Sequence, residues 1–286
     1  MSVEKLQDKI RKTKNPTVVD LSLRPDLIPI EIKEATGDLC QAVEFYGKAL
    51  LQALKGLVPA VRFSFGHFAL MGQKGISAFS TLMDAAKSEG YYVLVDALDL
   101  HSEQQVCMAA EFFLNLPCDG LIVSGYDGTD MLKPYAKKLK EKGKSLFVLL
   151  RSANKSASQL QDLMTGSRLV HIAAADSVNR LGESVVGRSG YSQIGGIGSA
   201  NAADSLKTLR GKYKSMFLLV DGYDYSNANA KNCSFAFDKL GHGAVVCACD
   251  TITGAWKEAE SADYAACAVA ACDRMKKNLT RYVTIL

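Results

Sequence analysis

A chain of 286 residues with 48% hydrophobic and 22% charged residues can bury one large core and is too apolar to be disordered. Its formal charge of +4 is small and its Lys and Arg residues are spread out, which argues against a nucleic-acid partner. No apolar run approaches the roughly 20 residues of a membrane span. Eight scattered cysteines without a signal sequence point to free thiols in a reducing cytoplasm.

Short apolar runs recur along the chain and predict strands at 17–21, 60–65, 91–96, 120–124, 145–150, 194–198, 216–221 and 243–248. The run at 194–198, "IGGIG", is the weakest, being rich in glycine and short of bulk. Helical patterns lie between the runs. One covers 34–57, and one covers 75–90, where Ile76, Phe79, Leu82 and Met83 share a face and Gly90 closes the helix. Others cover 129–143 and 260–277, and the basic "DRMKKNLTRY" (273–282) that overlaps the end of the latter reads as a cationic last turn. Cys247 and Cys249, in "VVCACD", are read as facing opposite sides of a strand and not as a metal pair.

Eight strands, each followed by a helix or a long connection, predict an α/β fold, a single (β/α)8 barrel over residues 1–286. The runs are apolar on both faces, as parallel strands covered by helices are. No glycine-rich fingerprint follows the first strand, which counts against a dinucleotide fold. A barrel keeps its site at the C-terminal strand ends. Those ends carry Asp20, Arg62, Asp96, Ser124, Arg151 with Asn154, Asp221 with Asp224, and Asp250. Helix capping explains any single aspartate among them. It explains the set less well, because each Asp ends an apolar run without a gap. The other histidines, His67, His171 and His242, show no metal-ligand spacing and receive no role.

In this order and spacing the strand ends resemble the orotidine 5′-phosphate decarboxylase family in its longer bacterial form. The stretches that carry the resemblance are "VVDLSLRPDLIP", "LVPAVRF", "VLVDALDLHS", "DGLIVSGYDGTDMLKPY", "FVLLRSANKSASQLQDL", "LVDGYDYSNA" and "GAVVCACDTITGAWK". The resemblance implies a homodimeric barrel that removes CO2 from a pyrimidine nucleotide without metal or cofactor. It implies an Asp-x-Lys-x-x-Asp motif whose lysine stabilises a developing carbanion and then protonates it.

The departures fall on the residues that matter most. The motif's first Asp is Asp96, but its lysine position is Leu98 and its second Asp position is His101. The first-strand Asp aligns with Ser22, and the second-strand lysine becomes Arg62, which keeps charge but not the compact ammonium. The pyrimidine-contacting serine falls on Ala153, while Asn154 remains. Asp224, Tyr225, Ser226 and Asn227 replace a Gly-x-Gln-Gly phosphate loop, and Asp250 stands where an arginine clamps the phosphate. An arginine about 4 Å from a phosphate charge is worth about 4 kcal/mol at an effective dielectric near 20, and an aspartate there costs a similar amount.

The expectation is therefore a homologue that has lost decarboxylation and phosphate binding, its mouth keeping Asp20, Ser22, Asn154, Asp221, Asp224, Ser226 and Asp250 for an unidentified small ligand. Asp96, His101 and Arg62 are the remaining catalytic candidates, with no metal ligands among them. One alternative is an active decarboxylase making uridine 5′-phosphate. Another is a metal-dependent lyase that uses the acidic mouth, and a third is a partner that pairs with an active paralogue.

Overall fold

The computed structural model describes residues 2–225 and 228–286. Eight parallel strands close into a barrel in sequence order. They are β1 (Thr17–Asp20), β2 (Ala60–Ser64), β3 (Tyr92–Asp96), β4 (Gly120–Ser124), β5 (Ser145–Leu149), β6 (Ile194–Ser199), β7 (Leu218–Asp221) and β8 (Ala244–Ala248). Every predicted strand is present, its ends displaced by at most two residues. The fold is the single (β/α)8 barrel expected. The register sets Asp20 beside Arg62, Ser64 beside Asp96 and Ser199 beside Asp221. Polar side chains are thereby gathered at one height, at the end of the barrel where strands run out.

The opposite end is closed by α1 (Ser2–Thr13), whose Val3, Leu6 and Ile10 are fully buried. Polar contacts fix its seat: the Ser2 hydroxyl lies 2.8 Å from that of Tyr92, and Gln7 Oε1 accepts the Gly243 N–H at 3.1 Å. The stretch 34–57 is not one helix. Gly37, at φ +62°, ends a short helix (Ile30–Thr36), and the Asp38 carboxylate caps α2 (Leu39–Leu54) by accepting from Cys40 and Gln41 N–H. In α3 (Gly72–Ser88) Phe79, Leu82 and Met83 are buried as expected, but Ile76 is 38% exposed and lies at the margin of that stripe. The barrel is completed by α4 (Glu103–Phe112), α5 (Thr129–Lys142), α6 (Val170–Gly182), α7 (Ala203–Lys212) and α8 (Tyr264–Thr280). Among the described residues no helix is long and apolar enough to cross a membrane.

The glycines that make β6 look weak are what its surroundings require. All six of its residues are buried. A Cβ on Gly195 would stand 2.4 Å from the Phe217 carbonyl oxygen, and one on Gly196 would stand 2.5 Å from Leu150 Cδ1. Large neighbours on β5, in the loop after it and just before β7 supply the bulk that β6 omits. Overpacking such a site costs about 1–3 kcal/mol. Gly195→Ala should therefore lower the thermal midpoint by several degrees, and an unchanged midpoint would show that β6 has slack.

Candidate functional site

The strand ends surround an open cavity of about 370 Å³. Its centre is the Arg62 guanidinium, 11% exposed, which β2 sends into the mouth between three carboxylates. Nη1 donates to both Asp221 oxygens at 2.9 and 3.0 Å. Nη2 donates to Asp96, and Nε lies 3.5 Å from Asp20, too far for a good hydrogen bond. Burial opposes the guanidinium's charge, but Asp221, Asp96 and Asp20 hold its pKa well above the ordinary value. Burial pushes the Asp221 carboxyl up, Arg62 pulls it down, and Asp96 pushes it further up. Three carboxylates against one cation leave the Arg62 cluster with a formal charge of −2 if all ionise.

Leu98 lines this cavity with its side chain, while its N–H donates to Asp96 Oδ1 at 3.0 Å. The same hydrogen bond turns the chain sharply at the end of β3. Asn154 also lines the mouth and is exposed. Ser22 does not. Its hydroxyl accepts the Ser64 N–H at 2.8 Å, and its N–H donates to Asp20 Oδ1, so it ties the ends of β1 and β2 together.

His101 stands outside the cavity of its own barrel. Ser102 and Gln105 form a capping box that starts α4, and this leaves His101 at the outer edge of the turn. It is 59% exposed, with Nδ1 3.2 Å from the Asp127 carboxylate. Ser124 and Arg151 also leave the mouth. Ser124 Oγ accepts from Tyr126 N–H, and Arg151 makes a two-point ion pair with Asp162 at 2.9 Å each. Cys247 and Cys249 both line the cavity, so the expectation of opposite faces was wrong, since residues two apart share a side. Burial first, then the Asp221 charge, pushes the Cys247 thiol well above its ordinary range and leaves it protonated.

The two acidic residues at the expected phosphate end are engaged by the protein itself. Asp224 Oδ2 accepts the Cys249 N–H and Oδ1 the Thr251 N–H, both at 2.8 Å. Asp250 points away, gripped by Arg24 at 2.9 and 2.8 Å. Hydrogen bonds to Asp250, then to Asp26, raise the Arg24 pKa. Sequence reasoning had no means to see Arg24, which lies in the loop after β1. Ser226 and Asn227 lie outside the described residues. Among the described residues no group of three or more His, Cys, Asp or Glu is arranged to hold a metal ion. The physical reason is that Arg62 fills the space between the three aspartates.

These features define a (β/α)8 barrel with a polar site at its C-terminal mouth, where barrel enzymes keep their chemistry. No protein-family model matches the chain. Orotidine 5′-phosphate decarboxylases do match it, that of Petrotoga mobilis at 28% identity over 92% of both chains. That of Clostridium perfringens matches at 26% over 94% of both. The solved orotidine 5′-monophosphate decarboxylases of Plasmodium berghei (TM-score 0.80, 16% identity, 98% of this chain and 99% of that one) and Leishmania donovani (0.74, 20%, 97% and 98%) share the fold. The chain is homologous to the orotidine 5′-phosphate decarboxylases.

Proposed function

We propose that this protein is an orotidine 5′-phosphate decarboxylase homologue that has lost decarboxylation and 5′-phosphate binding. Its barrel mouth now serves as a site for another small ligand. One observation carries the reading. Among the described residues that line the mouth, Arg62 is the only basic one, and three carboxylates already engage it. Decarboxylation at a pyrimidine carbon requires a cation beside the developing carbanion and an acid to protonate it. Arg62 has little uncompensated charge to offer and holds its proton tightly, and Leu98 has no proton to give. Removing one preorganised stabilising group costs roughly 100- to 1,000-fold in rate. Here the proton donor is missing as well.

Homology over more than nine-tenths of the chain favours a second reading, an active decarboxylase that makes uridine 5′-phosphate. A magnesium-dependent lyase is disfavoured, because a metal would have to displace Arg62. The homodimer implied by the resemblance belongs to the proposal and is tested by the mass of the protein in solution. The deciding experiment follows the ultraviolet absorbance of orotidine 5′-phosphate at high protein concentration, with and without magnesium. The proposal expects no loss above the buffer rate in either arm. Turnover without metal would establish the second reading, and turnover only with magnesium would establish the lyase.

A further inference from the structure

A second cavity of about 500 Å³ lies behind the mouth, between the segment after β5 and the start of α7. It is separated from the first by Ala153, which lines the mouth and whose carbonyl accepts from Asn201 Nδ2 at 2.8 Å. At its base is His171, on the first turn of α6 and 2% exposed. Its Nδ1 faces two acceptors, the Gln161 carbonyl at 2.8 Å and Asp162 Oδ1 at 3.2 Å. Neither acceptor can donate a proton when Asp162 is ionised, so the neutral ring carries its proton on Nδ1. Nε2 is then a bare lone pair, 3.1 Å from Ser205 Oγ. The Ser205 hydroxyl donates to it.

We propose that Ser205, His171 and Asp162 form an acyl-accepting site for small carboxylic esters. The geometry is that of a nucleophile, a base and an orienting carboxylate. Asp162 is a positioning residue, itself held by Arg151. Ser205 is the third residue of α7, and Ala202 provides no side-chain cap. The first intrahelical bond runs from Leu206 N–H to the Ala202 carbonyl, so the N–H groups of residues 203–205 precede it. Donors of this kind stabilise a developing oxyanion. In the step itself, Ser205 Oγ bonds to the ester carbonyl carbon as its proton passes to His171 Nε2. The carbon–oxygen bond to the alcohol then breaks, and the alcohol leaves with that proton. Water hydrolyses the acyl-serine by the same path, returning the acid and the free hydroxyl. The cavity volume suits a small ligand. With an activated ester, whose alcohol is a good leaving group, acylation outpaces deacylation and the acyl-serine accumulates.

The test treats the full-length protein with a fluorophosphonate probe and, separately, with p-nitrophenyl acetate, and maps the adducts by peptide mass spectrometry. The adduct is expected on Ser205 and lost in Ser205→Ala. His171→Gln should slow labelling at least about 100-fold, the usual worth of a general base. Asp162→Asn should slow it less, because the Gln161 carbonyl still holds Nδ1–H, and a purely structural role would leave the labelling rate of a folded variant unchanged. Since His171 is buried and its variant can unfold, the wild type decides alone. Absence of an adduct on Ser205, or labelling spread over other serines, tyrosines and lysines, overturns the proposal, as does equal labelling of a folded His171→Gln.

Discussion

Arg62→Met should lower the stability of the barrel by about 3–5 kcal/mol at pH 7, the usual cost of removing one partner from a buried ion pair. In a protein of this size that is a fall of roughly 10 °C in thermal midpoint. The variant leaves Asp20, Asp96 and Asp221 facing one another with no cation among them. Burial already raises Asp221 above the ordinary carboxylate value in the wild type. A carboxyl raised in the folded state holds protons there that the unfolded chain has released, so stability falls as pH rises between the two pKa values. Without Arg62 the Asp221 carboxyl loses the charge that pulls it down and is pushed up further, and the window widens. The deficit should therefore be largest at neutral pH and shrink on acidification towards pH 4. Arg62→Lys should lie between the two, since an ammonium keeps the charge but cannot span the three partners. Thermal melts of the three proteins from pH 4 to 8 check this. A deficit that grows on acidification would show that the three aspartates do not depend on Arg62.

The second large effect concerns Asp224, whose carboxylate occupies two backbone N–H donors after β8. Asp224→Ala should cost about 1–2 kcal/mol, as loss of a comparable cap does. The same change frees an anion-binding pair of amides and removes a repelling charge. A charge pair at about 4 Å is worth about 4 kcal/mol at an effective dielectric near 20. Asp224 is exposed, and water screens part of that. A gain of roughly 10- to 100-fold in affinity for inorganic phosphate or uridine 5′-phosphate follows. The variant should melt below the wild type in plain buffer and recover with either ligand, while the wild type responds to neither. Stabilisation of the wild type by uridine 5′-phosphate would refute the loss of phosphate binding.

The strand ends were legible because each aspartate follows an unbroken apolar run, and parallel strands covered by helices must be apolar on both faces. Asp20, Arg62, Asp96 and Asp221 could accordingly be assigned to the mouth. Their arrangement could not. Arg62 and Asp221 are 159 positions apart, and only closure of the barrel brings them to 2.9 Å. The capping box that follows His101 leaves it at the outer edge of the turn. His171 was passed over because its partners are Asp162, nine residues earlier, and Ser205, on the next helix, and no spacing rule links the three.

By itself the sequence determined the eight strands, their order and the barrel. These are local properties, set by apolar periodicity and residue identity. The tertiary structure decided which charges cancel. It set Arg62 among three carboxylates, gave Asp250 to Arg24, and folded Asp224 onto the amides of Cys249 and Thr251. Such pairings act over a few ångströms between loops distant in the chain. Residue type alone carries no record of which partner is near.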